Sequence, residues 1–453
     1  MMDIPQHAAT VLEHLETHGF EAYVVGGCVR DSLMGRTPKD WDVCTNARPE
    51  EVLRVFRKFH VIKTGLKHGT VTVMVNRKPV EVTTFRIDGA YTDNRHPDAV
   101  SFVSRVEEDL ARRDFTINAM AYNPRRGLVD AFGGREDLAA RTIRCVGEPD
   151  ARFHEDGLRI LRALRFAARF DFNIETETAH SIRRNRHLLV NVSVERIFSE
   201  LKGILAGEGV LSMLLGFPEV FATIIPELQP TIGLPQNTPY HCFDVWTHTA
   251  YSVAAAPQDS LLRLVMLLHD IGKPARRTRD ETGRDHFYGH QETGAPLAQK
   301  VLLRLKSDND TLSRTVALVR EHDVNWPTTP AGMRRLIGRL GVENVRSLFE
   351  VQRADLAAHS DYGRGKKEAA LRAARLLFED VLDSTPAFTV KDLPVNGADL
   401  MALGMPPGPA MRQVLERLLA EMQEDTLPPQ REPMLRRARE IIMSGQMNPT
   451  ADK

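Results

Sequence analysis

Asp40 and Asp42 stand either side of one tryptophan in PKDWDVCTNA, residues 38–47. In an extended strand alternate side chains share a face, so both carboxylates point one way while Trp41 and Val43 point the other. Carboxylates this close repel unless they share a cation, and a hard divalent ion such as Mg²⁺ prefers oxygen ligands of this kind. An isolated acidic pair also reads as the solvated edge of a sheet. The stretch upstream, VVGGCVRDSLMG, tips the balance, because Gly26 and Gly27 follow an apolar strand and open a helix. Glycines there let the backbone approach a phosphate closely, and the helix N-terminus adds unpaired N–H groups facing the anion. Arg30, one turn in, is placed to add a charge-assisted bond to the same group. A glycine turn followed by an acidic strand is a site for a triphosphate and its metal.

Two further groups of residues can do chemistry. In HEDGLRILRALRFAARF, Asp156, Arg159, Arg162 and Arg165 recur every third residue and predict a slanting polar ladder opposite Leu158, Ile160, Leu161 and Leu164. On spacing alone this is equally an amphipathic helix with a solvated basic face. The second group is rich in histidine: HCFDVWTHTAYS, LVMLLHDIGKPARRTRD, HFYGHQETGA and VREHDVNW follow one another, and an acid in QRADLAAHS ends the series. One buried histidine is an ordinary core residue, whereas a run of them around adjacent His269 and Asp270 has the spacing of a metal site.

The elements that carry these residues divide the chain. Up to about residue 145 the pattern is mixed: a strand in EAYVVGG, a helix in CVRDSLMG, a strand in DWDV, and a helix in PEEVLRVFRKF with Pro49 in its first turn. VTVMV and VEVTTFR alternate around Asn76, Arg77 and Lys78, a hairpin signal. Beyond residue 150 helical patterns run on, broken by proline-rich joints at TIIPELQPTIGLPQNTPYH, NWPTTPAG and STPAFTVKDLPVNG. A chain of 453 residues exceeds one core, so several domains are expected. With 60 basic and 60 acidic residues, any nucleic-acid surface must be local. Cys28, Cys44, Cys145 and Cys242 form no CxxC pair, which argues against a thiolate zinc site or a disulfide framework. No stretch reads as a signal peptide or membrane span, and a reduced, cytoplasmic setting is expected.

GGCVRDSLMGRTPKDWDVCTNARPEEV, EEDLARRDFTINAMA and RFHEDGLRILRALRFAARFDFNI resemble the successive motifs of class II tRNA nucleotidyltransferases, the CCA-adding enzymes, and of the related bacterial poly(A) polymerases. The likeness is dense over residues 20 to about 205. It implies an α+β head, a polymerase-β-like nucleotidyltransferase sheet with helices, then a mostly helical neck, body, HD domain and tail. By this resemblance Asp40 and Asp42 hold two Mg²⁺ ions for attack of an RNA 3′-hydroxyl on an α-phosphate. Glu81 in VEVTTFR is either a third carboxylate near the metals or an exposed strand residue. Gly26, Gly27, Arg30, Arg113, Asp114 and Asn118 would surround the nucleotide sugar and phosphates.

Also by resemblance, Asp156 accepts from the exocyclic amine of C or A and Arg159 donates to the neighbouring ring acceptor. U and G present a carbonyl there and leave a carboxylate facing an acceptor, so two side chains select C and A without a template. Arg162 and Arg165 would grip the triphosphate or stack near the base, and Glu155 would orient its neighbours. RIDGAYTDNRHPDAVSF reads as a loop and resembles the flexible loop of enzymes that complete the CCA end, although His96 follows Arg95 where the family often has two arginines.

The histidine series resembles HD-domain phosphohydrolases. That likeness implies one metal on His248, His269, Asp270 and Asp355 and a second near His290 and His322, with Mn, Fe, Ni or Co suited to imidazole and carboxylate. The expected division is a catalytic head at 1–145, a neck and body at 146–235, an HD domain at 236–375 and a tRNA-binding tail at 376–453. The expected reaction adds C, C and A to tRNA from CTP and ATP. The rivals are a poly(A) polymerase, an HD phosphohydrolase with a degenerate head, and an RNA-binding scaffold.

Overall fold

The computed structural model describes residues 2–89, 100–384 and 387–444. They form two compact units, one of residues 1–229 with 258–260 and 301–307, the other of the remainder. The first unit opens with α1 (Gln6–Thr17), β1 (Ala22–Val25), α2 (Gly27–Leu33), β2 (Asp42–Thr45), α3 (Pro49–Val55), β3 (His60–Ile62), β4 (Thr70–Val75) and β5 (Lys78–Thr84). It continues through β6 (Arg86–Asp88), β7 (Val100–Phe102), α4 (Val106–Ala111), β8 (Ala121–Asn123), β9 (Gly127–Val129), α5 (Gly134–Ala139) and β10 (Thr142–Ile143). Then follow α6 (Pro149–Glu155), α7 (Leu158–Phe170), β11 (Asn173–Ile174), α8 (Thr176–Asn185), α9 (Val194–Leu205), α10 (Val210–Gly216) and α11 (Pro218–Ile224).

Seven strands make one sheet in the order β3-β4-β5-β2-β1-β8-β9. The β4–β5 hairpin turns on Asn76 and Arg77, both left-handed at φ 50° and 64°, as a two-residue turn with native twist requires. Alternation sends Val71, Val73, Val80 and Val82 to one face, where they pack with Val24, Val43 and Trp41 under Val11, Leu12 and Leu15 of α1. Tyr23, Val25, Cys44 and Phe85 line the opposite face and meet Val106, Leu110 and Ala119. Asp42 precedes Cys44 by two and shares that second face at its open end.

The second unit is helical: α12 (Val245–Ala255), α13 (Ser260–Leu268), α14 (Lys273–Arg276), the small pair β12 (Thr278–Arg279) and β13 (Asp285–His286), then α15 (His290–Arg304) and α16 (Asn309–Glu321). After these come α17 (Pro330–Leu340), α18 (Val342–Ala357), α19 (Arg364–Ser384), α20 (Gly397–Ala402), α21 (Pro409–Gln423) and α22 (Arg431–Ser444). The first residue of α13 and the last four of α15 belong to the first unit. Met333, Ile337, Phe349 and Phe378 centre one core of the second unit, and Leu400, Val414, Leu418 and Met434 centre another.

Candidate active site and candidate metal centre

Burial alternates as the sequence predicts: Asp40 and Asp42 are exposed, while Trp41 and Val43 are 6% and 0% exposed. The strand itself begins only at Asp42, so Asp40 lies on the approach to it. β2 and β5 run parallel with Asp42 opposite Glu81, which is also exposed. Neighbouring residues in register share a face, so Glu81 stands beside Asp42 as a third carboxylate. Asp42 is pushed up to about 6, first by the protein packed around it, then by Glu81 and Asp40, with Arg113 opposing. Three acids crowded at a solvent-facing edge are a hard-oxygen donor set, which fits Mg²⁺.

The glycine turn is fixed by geometry. Gly26 has φ 78°, and a Cβ there would lie 2.8 Å from Arg113 Nη1, so the guanidinium rests directly on the turn. Arg113 Nε is buried with no hydrogen-bond partner, and Nη2 is 3.5 Å from Asp109. A cation this close to both the turn and the acids is available to a phosphate.

Arg30 departs from expectation. It is 4% exposed, pairs with Asp31 at 2.7 Å, donates to Asn118 Oδ1 at 2.5 Å, and lies over the rings of Phe166 and Phe170. A guanidinium so enclosed braces α2 against α7. Asn118 and Asp114 join the same buried network. Asn118 Nδ2 donates to Asp114 Oδ1 at 3.0 Å, and Asp114 Oδ2 accepts from Arg162 Nε and Nη2 at 2.8 and 2.6 Å. Burial works against a charged Asp114, but Arg162 and these hydrogen bonds override it and hold the carboxyl at about 2.

The polar ladder is not one helix. α6 ends at Glu155, Asp156 is extended at φ −144°, and α7 starts at Leu158. The break falls on Asp156, and the absence of a Cβ at helical Gly157 admits the Leu188 carbonyl oxygen, which a Cβ would meet at 3.0 Å. Each rung has a protein partner. Asp156 accepts from Leu158 N at 3.0 Å and pairs with Arg196 at 2.7 Å. Arg159 pairs with Glu155 and donates to the Arg112 carbonyl at 3.1 Å. Arg165 pairs with Glu200 at 2.5 Å on α9. Arg162 and Arg165 are thus held by Asp114 and Glu200 and tie α7 to its surroundings. The spacing held no sign of this, because the partners lie far along the chain. The loop expectation around Arg95 and His96 falls outside the described residues, between the paired strands β6 and β7.

The histidine series converges in the second unit. Asp244 caps α12 by accepting from Trp246 N and Thr247 N, which sets His248 one turn in. The apolar α13 delivers His269 and Asp270, 1% and 2% exposed, and Gly272 lets them lie against His290, since a Cβ there would collide with the His290 carbonyl. His269 Nε2 is 3.2 Å from Asp270 and 3.5 Å from Asp355, while His248 Nε2 is 2.9 Å from Asp355. His290 and His322 are 3.4 and 3.8 Å from Asp270. The Nδ1 atoms of His269, His290 and His322 lie 2.7, 2.9 and 2.7 Å from the carbonyls of Met266, Phe287 and Val319. As donors there, they leave each Nε2 with a lone pair turned inward.

The Nε2 atoms of His290 and His322 are then 3.0 Å apart with no proton between them. His269 Nε2 is buried without a hydrogen bond, and Asp270 Oδ2 already meets the Lys273 ammonium. Inward lone pairs beside two buried carboxylates are a donor set that fits a divalent ion. Burial opposes charge on both members of the pair, yet Asp270 and Asp355 raise His269 to about 10, so its Nε2 holds a proton that an incoming ion displaces, while His269 and Lys273 hold Asp270 well below the usual carboxylate range. Lys273 Nζ is 2.6 Å from Asp270. Lys273, His241 and His359 are members that sequence reasoning missed. The signals were present: Lys273 follows Asp270 by three residues, and His359 follows Asp355 by four.

Comparison with known proteins agrees with this geometry. Residues 22–144 match the Poly A polymerase head domain, 171–229 a "probable RNA and SrmB-binding site of polymerase A", and 239–377 the HD domain. The CCA-adding enzyme of Geobacillus thermodenitrificans is 48% identical over 202 residues, 45% of this chain and about half the length (50%) of that relative. That of Lactobacillus delbrueckii subsp. bulgaricus is 49% identical over 420 residues, 91% of this chain and 92% of its own. Among solved structures, a Bacillus stearothermophilus CCA-adding enzyme in complex with CTP aligns over 97% of this chain and 98% of its own, at 28% identity and TM-score 0.72. With an acid-bearing sheet, a glycine turn and near-full-length relatives all in agreement, this chain belongs to the CCA-adding enzyme family of nucleotidyltransferases.

Proposed function

We propose that this chain extends the 3′ end of tRNA with C, C and A, taken from CTP and ATP, without a nucleic-acid template and with release of pyrophosphate. The observation that carries the reading is the acid cluster: Asp42 paired in register with Glu81, Asp40 beside them, and Arg113 seated on the Gly26 turn. Asp40, Asp42 and Glu81 would hold Mg²⁺, which supplies Lewis-acid polarisation of the α-phosphate and neutralisation of the leaving group. Arg113 binds phosphate oxygens, and the Gly26–Gly27 backbone accommodates them closely. Asp156 and Arg159 read the base edge by exchanging their present partners, Arg196 and Glu155, for the amine and ring acceptor of C or A. Residues 376–453 serve as the tRNA-binding tail, and a cytoplasmic setting goes with that substrate. The HD centre supports a second reading. His248, His269, Asp270 and Asp355, with His290 and His322 alongside, would hold Mn, Fe, Ni or Co, giving Lewis-acid chemistry suited to phosphodiester hydrolysis.

The test is incubation with tRNA lacking its 3′ end and each labelled nucleotide in turn. Incorporation stopping after C, C and A is expected. Continued A addition would make the chain a tailing polymerase, a rival that the relatives named CCA-adding enzyme disfavour. Unaffected incorporation by Asp42→Ala would overturn the assignment of the acids.

A further inference from the structure

Two imidazoles outside the HD set press against it. His241 and His359 have ring centroids 4.5 Å apart, and each also meets His248, at 4.9 and 5.4 Å. One ring nitrogen from each of the three lies within 4.8 Å of the others. His248 is 0% and His359 7% exposed, so water does not fill the space between them freely. His241 Nδ1 is buried and has no hydrogen-bond partner. Asp355 turns one oxygen to each side of the cluster: Oδ1 is 2.9 Å from His248 Nε2, and Oδ2 is 3.3 Å from His359 Nε2. A carboxylate presented this way is a bridging ligand, with its second oxygen aimed away from the HD pair.

A purely structural cluster would satisfy these nitrogens with carbonyls, as His269, His290 and His322 do through Nδ1 and as His248 Nδ1 does with Ala358 at 3.3 Å. His241 Nδ1 has no such partner, and His359 Nε2 faces the Asp355 carboxylate instead. The nearby Lys273 charge does not forbid a cation, because its ammonium is spent on Asp270 at 2.6 Å. The cluster opens onto the same cavity of about 370 Å³ that the HD residues Asp270, His290 and Asp355 line, and Lys273, Arg284 and Lys367 stand on its wall.

We propose that His241 and His359, with the outer oxygen of Asp355, form a further cation position beside the HD centre, walled on one side by the His248 ring. Imidazole-rich ligation selects a transition ion over Mg²⁺ or Ca²⁺. With few protein ligands the ion keeps a position open to the cavity, where the lysines and arginine favour an anionic oxygen. The inference does not require the HD centre to hydrolyse anything.

The test loads the full chain with Zn²⁺, removes free metal and counts bound zinc by mass spectrometry, beside a His241→Ala/His359→Gln variant of matching circular dichroism. Loss of one zinc equivalent in the variant is expected, and an unchanged count overturns the proposal. Zinc-edge anomalous diffraction from wild-type crystals answers without a mutation: a peak about 2 Å from the rings of His241 and His359 is expected. Peaks confined to the positions held by His269 with Asp270 and by His290 with His322 overturn it while leaving the HD reading intact.

Discussion

Replacing Asp114 by Asn tests whether the buried network is a brace between head and neck. Asp114 is 8% exposed and takes two hydrogen bonds from Arg162 on one oxygen, with Phe115 N and Asn118 on the other. Its carboxyl stands at about 2 in the fold. An unfolded aspartate titrates at about 3.9, and each unit is about 1.4 kcal/mol, so ionisation of this one group contributes about 2.6 kcal/mol. The folded value is depressed, so that contribution is complete above about pH 4 and is lost as pH falls towards 2. The Arg162 side chain is 33% exposed and can rehydrate, which keeps the loss at about 2.6 kcal/mol and below the larger penalties of a stranded charge. Urea unfolding at pH 7 measures it, with Trp41 as reporter of the first unit after Trp246→Phe and Trp326→Phe. A loss under about 0.5 kcal/mol, or a difference that stays constant as pH falls through the window, would refute the reasoning.

Asp42→Ala should abolish nucleotide incorporation while leaving zinc content and the melting temperature unchanged, checked by a labelled-CTP assay beside metal counting. Gly26→Ala places a Cβ at φ 78° and 2.8 Å from Arg113, so CTP affinity by calorimetry should fall about tenfold, with about 1–2 kcal/mol of backbone strain. Gly272→Ala drives a methyl into the His290 carbonyl and should empty the HD centre of metal without altering incorporation of C. Chelation should lower the melting temperature of a zinc-loaded wild-type chain and leave the Gly272→Ala variant unmoved, read by calorimetry.

Much of the first site was legible because its signals are local. The alternation of VEVTTFR around the Asn76–Arg77 turn places Glu81 on a face, and the strand in DWDV places Asp42 on one too; only their parallel pairing, β2 to β5, brings the two faces together. The ladder was misread as one helix because Asp156 is extended between α6 and α7 and pairs with Arg196, 40 residues on, a contact no period encodes. Arg162 and Arg165 looked like phosphate ligands because their acids, Asp114 and Glu200, lie 48 and 35 residues away. Arg30 looked free for the same reason: the aromatic rings over which it lies are on α7. The HD residues were read as ligands through the resemblance to HD-domain phosphohydrolases, and His241 and His359, though they lie in HCFDVWTHTAYS and QRADLAAHS, escaped because they are not among the ligands that resemblance implies.

The pairing of β2 with β5 is the one parallel register in the described seven-stranded sheet, and the strands reach it only after β3 and β4 have intervened. A slip of one position along it would bury Glu81 and offer Val80 or Val82 to Asp42 instead. Such a chain would keep its hydrogen-bond ladder and still be chemically dead, so for this protein quality control of folding is also quality control of catalysis.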